Sequence, residues 1–173
     1  MTVLVFIAPR EFRDESLNAV KLFLSKWGIS YKIASYTSHD CVGTHGAVVK
    51  PDVHGTKVSA QDYSGIVIVD GEGITDFKIF EYRPMLDLIL HFDNAKKPIM
   101  AIGNAIRVPA RANVITGKKV SVTHDAETNR QLMLFHGIPS REPFEVAENL
   151  VTIGLPENIS VALPKVLEMV SLS

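Results

Sequence analysis

Residues 98–105, which read PIMAIGNA, constrain the fold of this chain more than any other stretch. Their apolar run predicts a short buried strand at residues 98–102, followed by a tight turn and a helix. In many α/β proteins such a junction presents a catalytic nucleophile at the top of the sheet. Here the turn carries Gly103 and Asn104, with neither cysteine, serine nor aspartate. The segment therefore predicts where a site lies, and it lacks the usual nucleophile there.

Strand and helix patterns alternate along the rest of the chain. Apolar runs predict strands at residues 3–7, 31–34, 64–69, 98–102 and 119–122, a strand pair or an edge excursion at 46–53, and a strand pair at 144–153. Helical spacing of apolar residues predicts helices at residues 17–27, 80–94, 106–112, 128–136 and 158–172. This order favours a mainly parallel sheet with helices on both faces. The length of 173 residues fits a single domain spanning residues 1–173.

Composition and charge exclude several classes of function. The formal net charge of -1 gives no basic surface for nucleic acid or for an anionic membrane. No apolar run reaches the length of about 18 residues that a membrane span needs, and the apolar N-terminus is too short for a signal peptide. The single cysteine, Cys41, excludes an internal disulfide and a cysteine-rich metal site. We therefore expect a cytoplasmic protein without metal or cofactor.

Candidate site residues lie in the loops that follow the strands. Right-handed crossovers and the carboxyl-end rule place a binding site at residues 8–14, 70–73 and 103–106. The residues expected to border a pocket there are Phe12, Asp14, Glu15, Asp70, Glu72, Ile106 and His124.

Five segments in this order resemble one protein family. They read EFRDESL at 11–17, GTHG followed by VKPD at 43–52, DYSGIVI at 62–68, KPIMAI at 97–102 and ANVITGKKV at 112–120. Together they are similar to the ThiJ/PfpI superfamily, which includes the Parkinsonism-associated deglycase and is related to class I glutamine amidotransferases. The resemblance covers nearly the whole chain. It implies a flavodoxin-like fold, a three-layer α/β sandwich with a mainly parallel sheet.

The resemblance also implies which positions would carry the family's chemistry. The family's elbow, Ala-Ile-Cys-His-Gly, matches residues 101–105, so its nucleophile position is Gly103 and the following histidine position is Asn104. The position of its acidic partner is Ser16. Its Pro-Gly-Gly turn leaves Gly71 as a backbone amide donor. By this match the chain is a divergent member that lacks the catalytic cysteine.

Two neighbouring residues could be read as replacements for family residues. Glu15 precedes Ser16 by one helical step of about 100°, so it does not substitute without a local shift. A further family histidine falls on Thr123 or on His124, depending on a one-residue choice of alignment. An acid–base pair of Asp14 with His124 across the pocket is one alternative that this match leaves open.

The missing cysteine decides the functional prediction. Thiol chemistry needs a thiolate, which glycine cannot supply, so the hydrolase, glyoxalase and deglycase activities that the family implies are not expected. The first hypothesis is a protein without that activity, which binds a small molecule or serves as an oligomeric scaffold. The second is a repurposed enzyme that uses Asp14, Asn104, His124 or the acidic loop of Asp70 and Glu72. The resemblance also implies a homo-oligomer and leaves a stress-related chaperone role open.

Glycine at position 103 has a conformational meaning of its own. A nucleophile elbow holds its residue in a strained backbone conformation, which costs a non-glycine residue on the order of 1–3 kcal/mol. Glycine adopts such a conformation without that steric cost. We therefore expect the elbow geometry to survive at Gly103 with the strain relieved.

Several other residues each allow a functional and a structural interpretation. Cys41 is either a redox thiol or an incidental cysteine, and Arg107 and Arg111 either bind a carboxylate or lie on a solvated face. The histidines at 39, 45 and 54 match no compact metal-ligand spacing and are expected to cap or solvate loops. Residues 70–73, which read DGEG, either bind a cation or hydroxyl-bearing ligand or form a tight strand-to-helix turn. Their two carboxylates and the missing lysine exclude a phosphate-binding loop.

Overall fold

Continuous apolar runs form the inner strands of a central sheet. The computed structural model describes residues 1–171. Its strands are β1 Thr2–Phe6, β2 Arg10–Phe12, β3 Ser30–Ser35, β4 Cys41–Gly43, β5 Val48–Val49, β6 Val53–His54, β7 Gly65–Ile68, β8 Ile99–Ile102, β9 Lys119–Ser121, β10 Ile138–Ser140, β11 Glu145–Ala147 and β12 Leu150–Ile153. Its α-helices are α1 Asp14–Lys26, α2 Glu72–Asp76, α3 Arg83–Asn94, α4 Arg107–Arg111, α5 Ala126–Leu134 and α6 Ile159–Ser171.

The central sheet has seven strands in the order β11-β12-β8-β7-β1-β3-β6. All neighbouring pairs are parallel except β11 with β12, which are antiparallel. Numbered by their order in the chain, the five inner strands β3, β1, β7, β8 and β12 follow the order 2-1-3-4-5. That is the flavodoxin-like order, and it confirms the expected fold class.

Helices cover both faces of this sheet because side chains alternate along each strand. From β1, Leu4 and Phe6 point to the face covered by α3 and α4. Val3 and Val5 point to the opposite face, which α1 and α6 cover. The result is the predicted three-layer α/β sandwich, with a hydrophobic core on each side of the sheet.

Differences from the sequence-based elements are confined to short segments and to helix ends. Residues 46–53 form the edge excursion and not the strand pair: β5 pairs with β4 in a three-stranded side sheet, whereas β6 extends the edge of the central sheet. The strands β2, β4 and β10 and the helix α2 were not predicted, because three to five residues carry little periodic signal. Helix α3 begins at Arg83, since a 3-10 turn at Ile79–Glu81 precedes it. The predicted end of the last helix at residue 172 lies outside the described residues.

Within residues 1–171, the structure contains no helix with the length and apolar character needed to span a membrane.

Candidate functional site

The carboxyl ends of the central strands open into a cleft of about 740 Å³. Loops after β7, β8, β9 and β12 contribute to it, together with the start of α1 and the turn between β4 and β5. Of the residues predicted for the site, those that line the cleft are Glu15, Asp70, Gly71, Glu72, Gly103, Asn104 and His124. The predicted location is therefore the location of the cleft, although several predicted side chains do not reach it.

Gly103 lies at the sharp turn that directly follows β8. Its φ is +52°, in the left-handed region that glycine adopts without steric strain, as expected for an elbow. It also begins the 3-10 turn Gly103–Ile106, which leads into α4. A β-carbon built on Gly103 would lie 3.0 Å from Oδ2 and 3.1 Å from Cβ of Asp70. The space beside the elbow is therefore taken by the side chain of Asp70.

Asp70 follows β7 and is buried, with 6% of its surface exposed. Its backbone oxygen accepts a hydrogen bond from the backbone N–H of Arg13, 2.9 Å away, which ties the loop after β7 to the start of α1. Its side-chain Oδ1 has no hydrogen-bond partner in the described structure. Burial raises the pKa of Asp70, and the Ser16 hydroxyl and the Arg13 guanidinium oppose this shift only in part. The carboxyl group is thus poised to hold a proton at higher pH than an ordinary aspartate.

Ser16 lies beneath the cleft and does not line it. Its side chain is fully buried on α1, and its Oγ accepts a hydrogen bond of 2.9 Å from Nη1 of Arg13. A short polar connection therefore runs from the Arg13 guanidinium through the Ser16 hydroxyl to the Asp70 carboxyl. The buried carboxyl group beside Gly103 comes from the loop after β7, while α1 contributes a hydroxyl.

Asn104 holds the loop after β7 in place. Its Oδ1 accepts from the backbone N–H of Gly71 at 3.1 Å, and its Nδ2 donates to the backbone oxygen of Gly71 at 2.8 Å. The Gly71 amide, which the resemblance implied as a donor to a ligand, is therefore already engaged. The side chain of Asn104 links the two loops that form the cleft floor.

Asp14 is not a pocket residue, and the expected pair of Asp14 with His124 does not form. Asp14 begins α1, is buried, and accepts hydrogen bonds from the backbone N–H groups of His45 (3.1 Å) and Ala47 (2.9 Å). A β-carbon on Gly43 would overlap its carboxylate, so the glycine permits this close approach. Burial raises the pKa of Asp14, but the backbone hydrogen bonds outweigh it and the net shift is downward. Asp14 anchors the turn between β4 and β5.

Two histidine–carboxylate pairs line the cleft. Nδ1 of His45 lies 2.6 Å from Oε1 of Glu15, and Nε2 of His124 lies 3.1 Å from Oε1 of Glu157. All four side chains are at least half exposed. These contacts explain why His124 is not available to Asp14.

The predictions for Phe12 and Ile106 are also wrong. Both side chains are fully buried, Phe12 in the core beneath α1 and α6 and Ile106 in the core beneath α3. Neither lines the cleft, because both side chains pack into the hydrophobic cores. The cleft is consequently polar and is not filled by apolar side chains.

The two arginines of α4 have different surroundings. The guanidinium carbon of Arg107 lies 3.7 Å from the centroid of the Phe80 ring, and the side chain lines the cleft. Its Nε is buried without a hydrogen-bond partner in the described structure. Arg111 is exposed, lies 5.8 Å from the centroid of the Phe135 ring and does not line the cleft. Only Arg107 therefore retains the predicted option of contacting a ligand.

Cys41 and the loop histidines do not form a reactive centre. Cys41 is fully buried, and burial raises the pKa of its thiol, which favours the incidental cysteine over the redox thiol. His54 caps a 3-10 turn by accepting from the backbone N–H of Thr56, and His45 pairs with Glu15. Among the residues that the structure describes, no group of three His, Cys, Asp or Glu side chains could hold a metal ion. Residues 70–73 form the predicted strand-to-helix turn, since α2 begins at Glu72.

Sequence reasoning missed several residues that line the cleft. Thr75 belongs to the unpredicted α2. Asp125 and Glu127 lie around the start of α5, which begins two residues before its predicted start. Glu157 lies in a 3-10 turn after β12. Binding sites in parallel sheets lie at the carboxyl ends of the strands, and this rule applied to β12 would have indicated the region around Glu157.

Comparisons with known proteins agree with this fold. Residues 1–167 match the model of the DJ-1/PfpI family. An uncharacterized protein of Methanocaldococcus jannaschii is 30% identical over 155 residues, which cover 90% of this chain and 75% of that protein.

Solved structures show the same similarity. The crystal structure of a ThiJ/PfpI domain protein from Brachyspira murdochii superimposes with a TM-score of 0.89 at 20% identity, covering 99% of this chain and 97% of that one. Drosophila melanogaster DJ-1beta gives a TM-score of 0.83 at 22% identity, covering 98% and 90% of the two chains. The sequence-based resemblance is confirmed, and the chain belongs to the DJ-1/PfpI family.

Proposed function

We propose that this protein binds a small polar molecule in the cleft above Gly103 and works without cysteine thiol chemistry. The observation that carries the proposal is the side chain of Asp70, which lies against the Cα of Gly103 where a nucleophile side chain would begin. A glycine in the left-handed conformation supplies the turn without a nucleophile. The cleft floor therefore carries the carboxyl group of Asp70 in place of a nucleophile at position 103.

The cleft has the properties of a binding site for a small ligand. Its volume of about 740 Å³ falls within the range of about 300–1,000 Å³ that is typical of ligand sites. Polar groups converge on it from separate loops, among them Asp70, Glu72 and Arg107. Asn104 and the Arg13 backbone tie these loops together, so the floor is preformed.

A fragment titration followed by backbone amide NMR tests the proposal. Bound fragments should shift the amide signals of residues 70–75, 103–107 and 123–127. Glu72→Trp places a bulky side chain in the cleft and should weaken binding, whereas Glu81→Trp makes the same change on an exposed turn outside it. Binding that Glu72→Trp leaves intact, or the absence of any fragment binding, would contradict the proposal.

An activity screen tests the absence of cysteine-type catalysis. Methylglyoxal and peptide substrates should show no turnover above the uncatalysed rate, because position 103 has no nucleophile. Turnover that Glu72→Trp abolishes and Glu81→Trp retains would overturn this part of the proposal.

A repurposed enzyme is the second candidate, and the environment of Asp70 favours it. A buried carboxyl group with a raised pKa in a cleft is a common feature of general acids. In this alternative Asp70 gives its proton to a substrate oxygen and takes it back from water. The rate would then fall as rising pH ionises Asp70, and Asp70→Asn would abolish turnover. A rate that is independent of pH through that range would exclude Asp70 from this role.

We further propose a cytoplasmic homo-oligomer. Leu22 on α1, Trp27 directly after it and Val161 on α6 are more than half exposed, and α1 packs beside α6. Such side chains are common on surfaces that associate. Light scattering coupled to gel filtration should give a mass above 19.0 kDa for the assembly. A monomeric mass at micromolar concentration would contradict the expectation.

A further inference from the structure

Asp70 carries an unsatisfied acceptor at the floor of the cleft. The residue is more than nine-tenths buried, lines the cleft, and its Oδ1 has no hydrogen-bond partner. Within the described chain no lysine, arginine or histidine nitrogen comes within 4 Å of its carboxylate. Leaving a buried polar group unpaired is unfavourable, and such groups in native proteins usually have a function. A ligand donor at this position would satisfy the carboxyl group.

The charges around Asp70 favour a positively charged donor. Two guanidinium groups, of Arg13 and Arg107, line the cleft, and no lysine does. The carboxyl groups that line it are those of Glu15, Asp70, Glu72, Asp125, Glu127 and Glu157. An excess of one sign of charge within a cleft raises the local concentration of ligands of the opposite sign. The same excess disfavours phosphate and other multiply charged anions.

The two arginines leave room for a ligand cation at Asp70. Nη1 of Arg13 is engaged by Ser16, and its Nε lies 3.9 Å from Glu15. The guanidinium of Arg107 is stacked on Phe80.

We propose that the cleft binds a small organic cation, an ammonium or guanidinium group, whose N–H groups donate to the carboxylate of Asp70. This inference rests on the proposed function of the cleft as a small-molecule site and names the chemical class of its ligand. Glu72 is a second acceptor, because it lines the same cleft and forms no ion pair among the described residues. A ligand with two amino groups could therefore contact both carboxylates.

Binding of a cation should be coupled to ionisation of Asp70. The free carboxyl group favours its protonated form because of burial, whereas a bound ammonium favours the carboxylate. The charged and titratable groups on the surrounding elements are Arg13 and Glu15 at the start of α1, His45 between β4 and β5, Glu72 on α2, Arg107 on α4 and His124 after β9. Arg13 assists ionisation and Glu15 opposes it. Affinity should therefore rise with pH until Asp70 is fully ionised.

Isothermal titration of the full chain with matched four-carbon probes tests the inference. The probes are butylamine and 1,4-diaminobutane, with butan-1-ol and butanoate as neutral and anionic counterparts. We expect the amines to bind and the other two not to. Between about pH 5 and pH 8 the amines stay charged, because their pKa values lie near that of lysine, about 10.4. Their affinity should rise as pH rises through the raised pKa of Asp70, and protons should be released on binding until Asp70 is fully ionised.

Two variants complete the test. Asp70→Asn should weaken amine binding by at least about tenfold and abolish its pH dependence, because a charge-assisted hydrogen bond is lost. Asp62→Asn makes the same change at an exposed residue before β7. This residue lies at the amino end of the strand, away from the cleft at the carboxyl end, so the change should leave binding unchanged. If Asp70→Asn does not fold, the selectivity of the unmodified protein for the two amines over butan-1-ol and butanoate still decides whether the cleft binds cations.

The possible failures are distinguishable. Preferential binding of butanoate or butan-1-ol in the cleft would overturn the cation inference and leave the small-molecule site standing. Amine binding that is independent of pH, or unchanged in Asp70→Asn, would also overturn the inference. If no probe and no fragment binds, the proposed function itself fails.

Discussion

Asp70 packs against Gly103 so closely that a β-carbon at position 103 would lie 3.0 Å from Oδ2 of Asp70. The two residues are 33 positions apart and follow the adjacent parallel strands β7 and β8. The glycine and the aspartate are therefore matched: the absence of a side chain on one makes space for the buried carboxyl group of the other. Ser16 completes the arrangement, because its hydroxyl interacts with that carboxyl group from α1. The predictions below test this arrangement and its surroundings.

Adding a methyl group at position 103 should reveal the contact with Asp70. Gly103→Ala introduces a side chain at positive φ, which costs about 1–2 kcal/mol, and pushes against the Asp70 carboxyl. Gly28→Ala is the matched control, since Gly28 also has positive φ (+66°) but nothing within 4 Å of an added β-carbon. Denaturant unfolding should show a larger loss of stability for Gly103→Ala than for Gly28→Ala. Equal losses of stability would mean that the Asp70 side chain moves away from the added methyl group at no measurable cost.

Replacing Asp70 by asparagine should change how stability depends on pH. The raised pKa means that folding favours the protonated carboxyl group. Its contribution to stability is full below the ordinary value of 3.8 and is lost as pH rises through the raised pKa. Across that window the unmodified protein should lose up to about 1.4 kcal/mol per pH unit relative to Asp70→Asn. Parallel stability curves for the two proteins above pH 4 would contradict the burial argument.

Asp14→Asn should destabilise the protein and loosen the turn that carries His45. The carboxylate accepts two backbone hydrogen bonds, and an asparagine amide nitrogen would face one of these N–H groups. We expect a loss of about 1–3 kcal/mol in unfolding experiments at neutral pH, with Asp62→Asn as the exposed control.

The same residue should show the opposite pH dependence to Asp70. Because the pKa of Asp14 is lowered in the folded state, its contribution is present above the ordinary value of 3.8 and is lost as pH falls through the lowered pKa. The gap between Asp14→Asn and the unmodified protein should therefore shrink in acid. A gap that stays constant down to complete acid unfolding would rule out this role for Asp14.

Cys41 should not react with thiol reagents in the folded protein. Its side chain is fully buried, and the raised pKa keeps it in the unreactive thiol form. Labelling with a disulfide reagent should be slow in buffer and fast in guanidinium chloride, which serves as the control for reagent and thiol. Rapid labelling in buffer would show that the thiol is accessible and would restore the redox interpretation.

Much of the fold could be predicted from the sequence, because its signals are local. The apolar runs that form β1 and β8 are buried on both faces, so each has a continuous pattern that needs no partner to be recognised. The short strands β2 and β10 have no such signal, since they form through backbone hydrogen bonds to distant segments, and the five residues of α2 are too few for a helical period to be recognised. Helix boundaries were shifted by two or three residues where a 3-10 turn or a capping aspartate sets the start.

The sequence by itself determined the strand–helix order, the family resemblance and the end of the sheet where the cleft lies, because these follow from periodicity and chain order. It also determined that position 103 has no nucleophile. Only the tertiary structure decided which polar residues of the loops face the cleft. Asp14 and Asp70 both follow short strands. The carboxylate of Asp14 accepts hydrogen bonds from backbone amides of a distant turn, whereas the carboxyl group of Asp70 has one oxygen without a partner. That difference depends on burial and on partners 31 to 33 residues away, which no local pattern encodes.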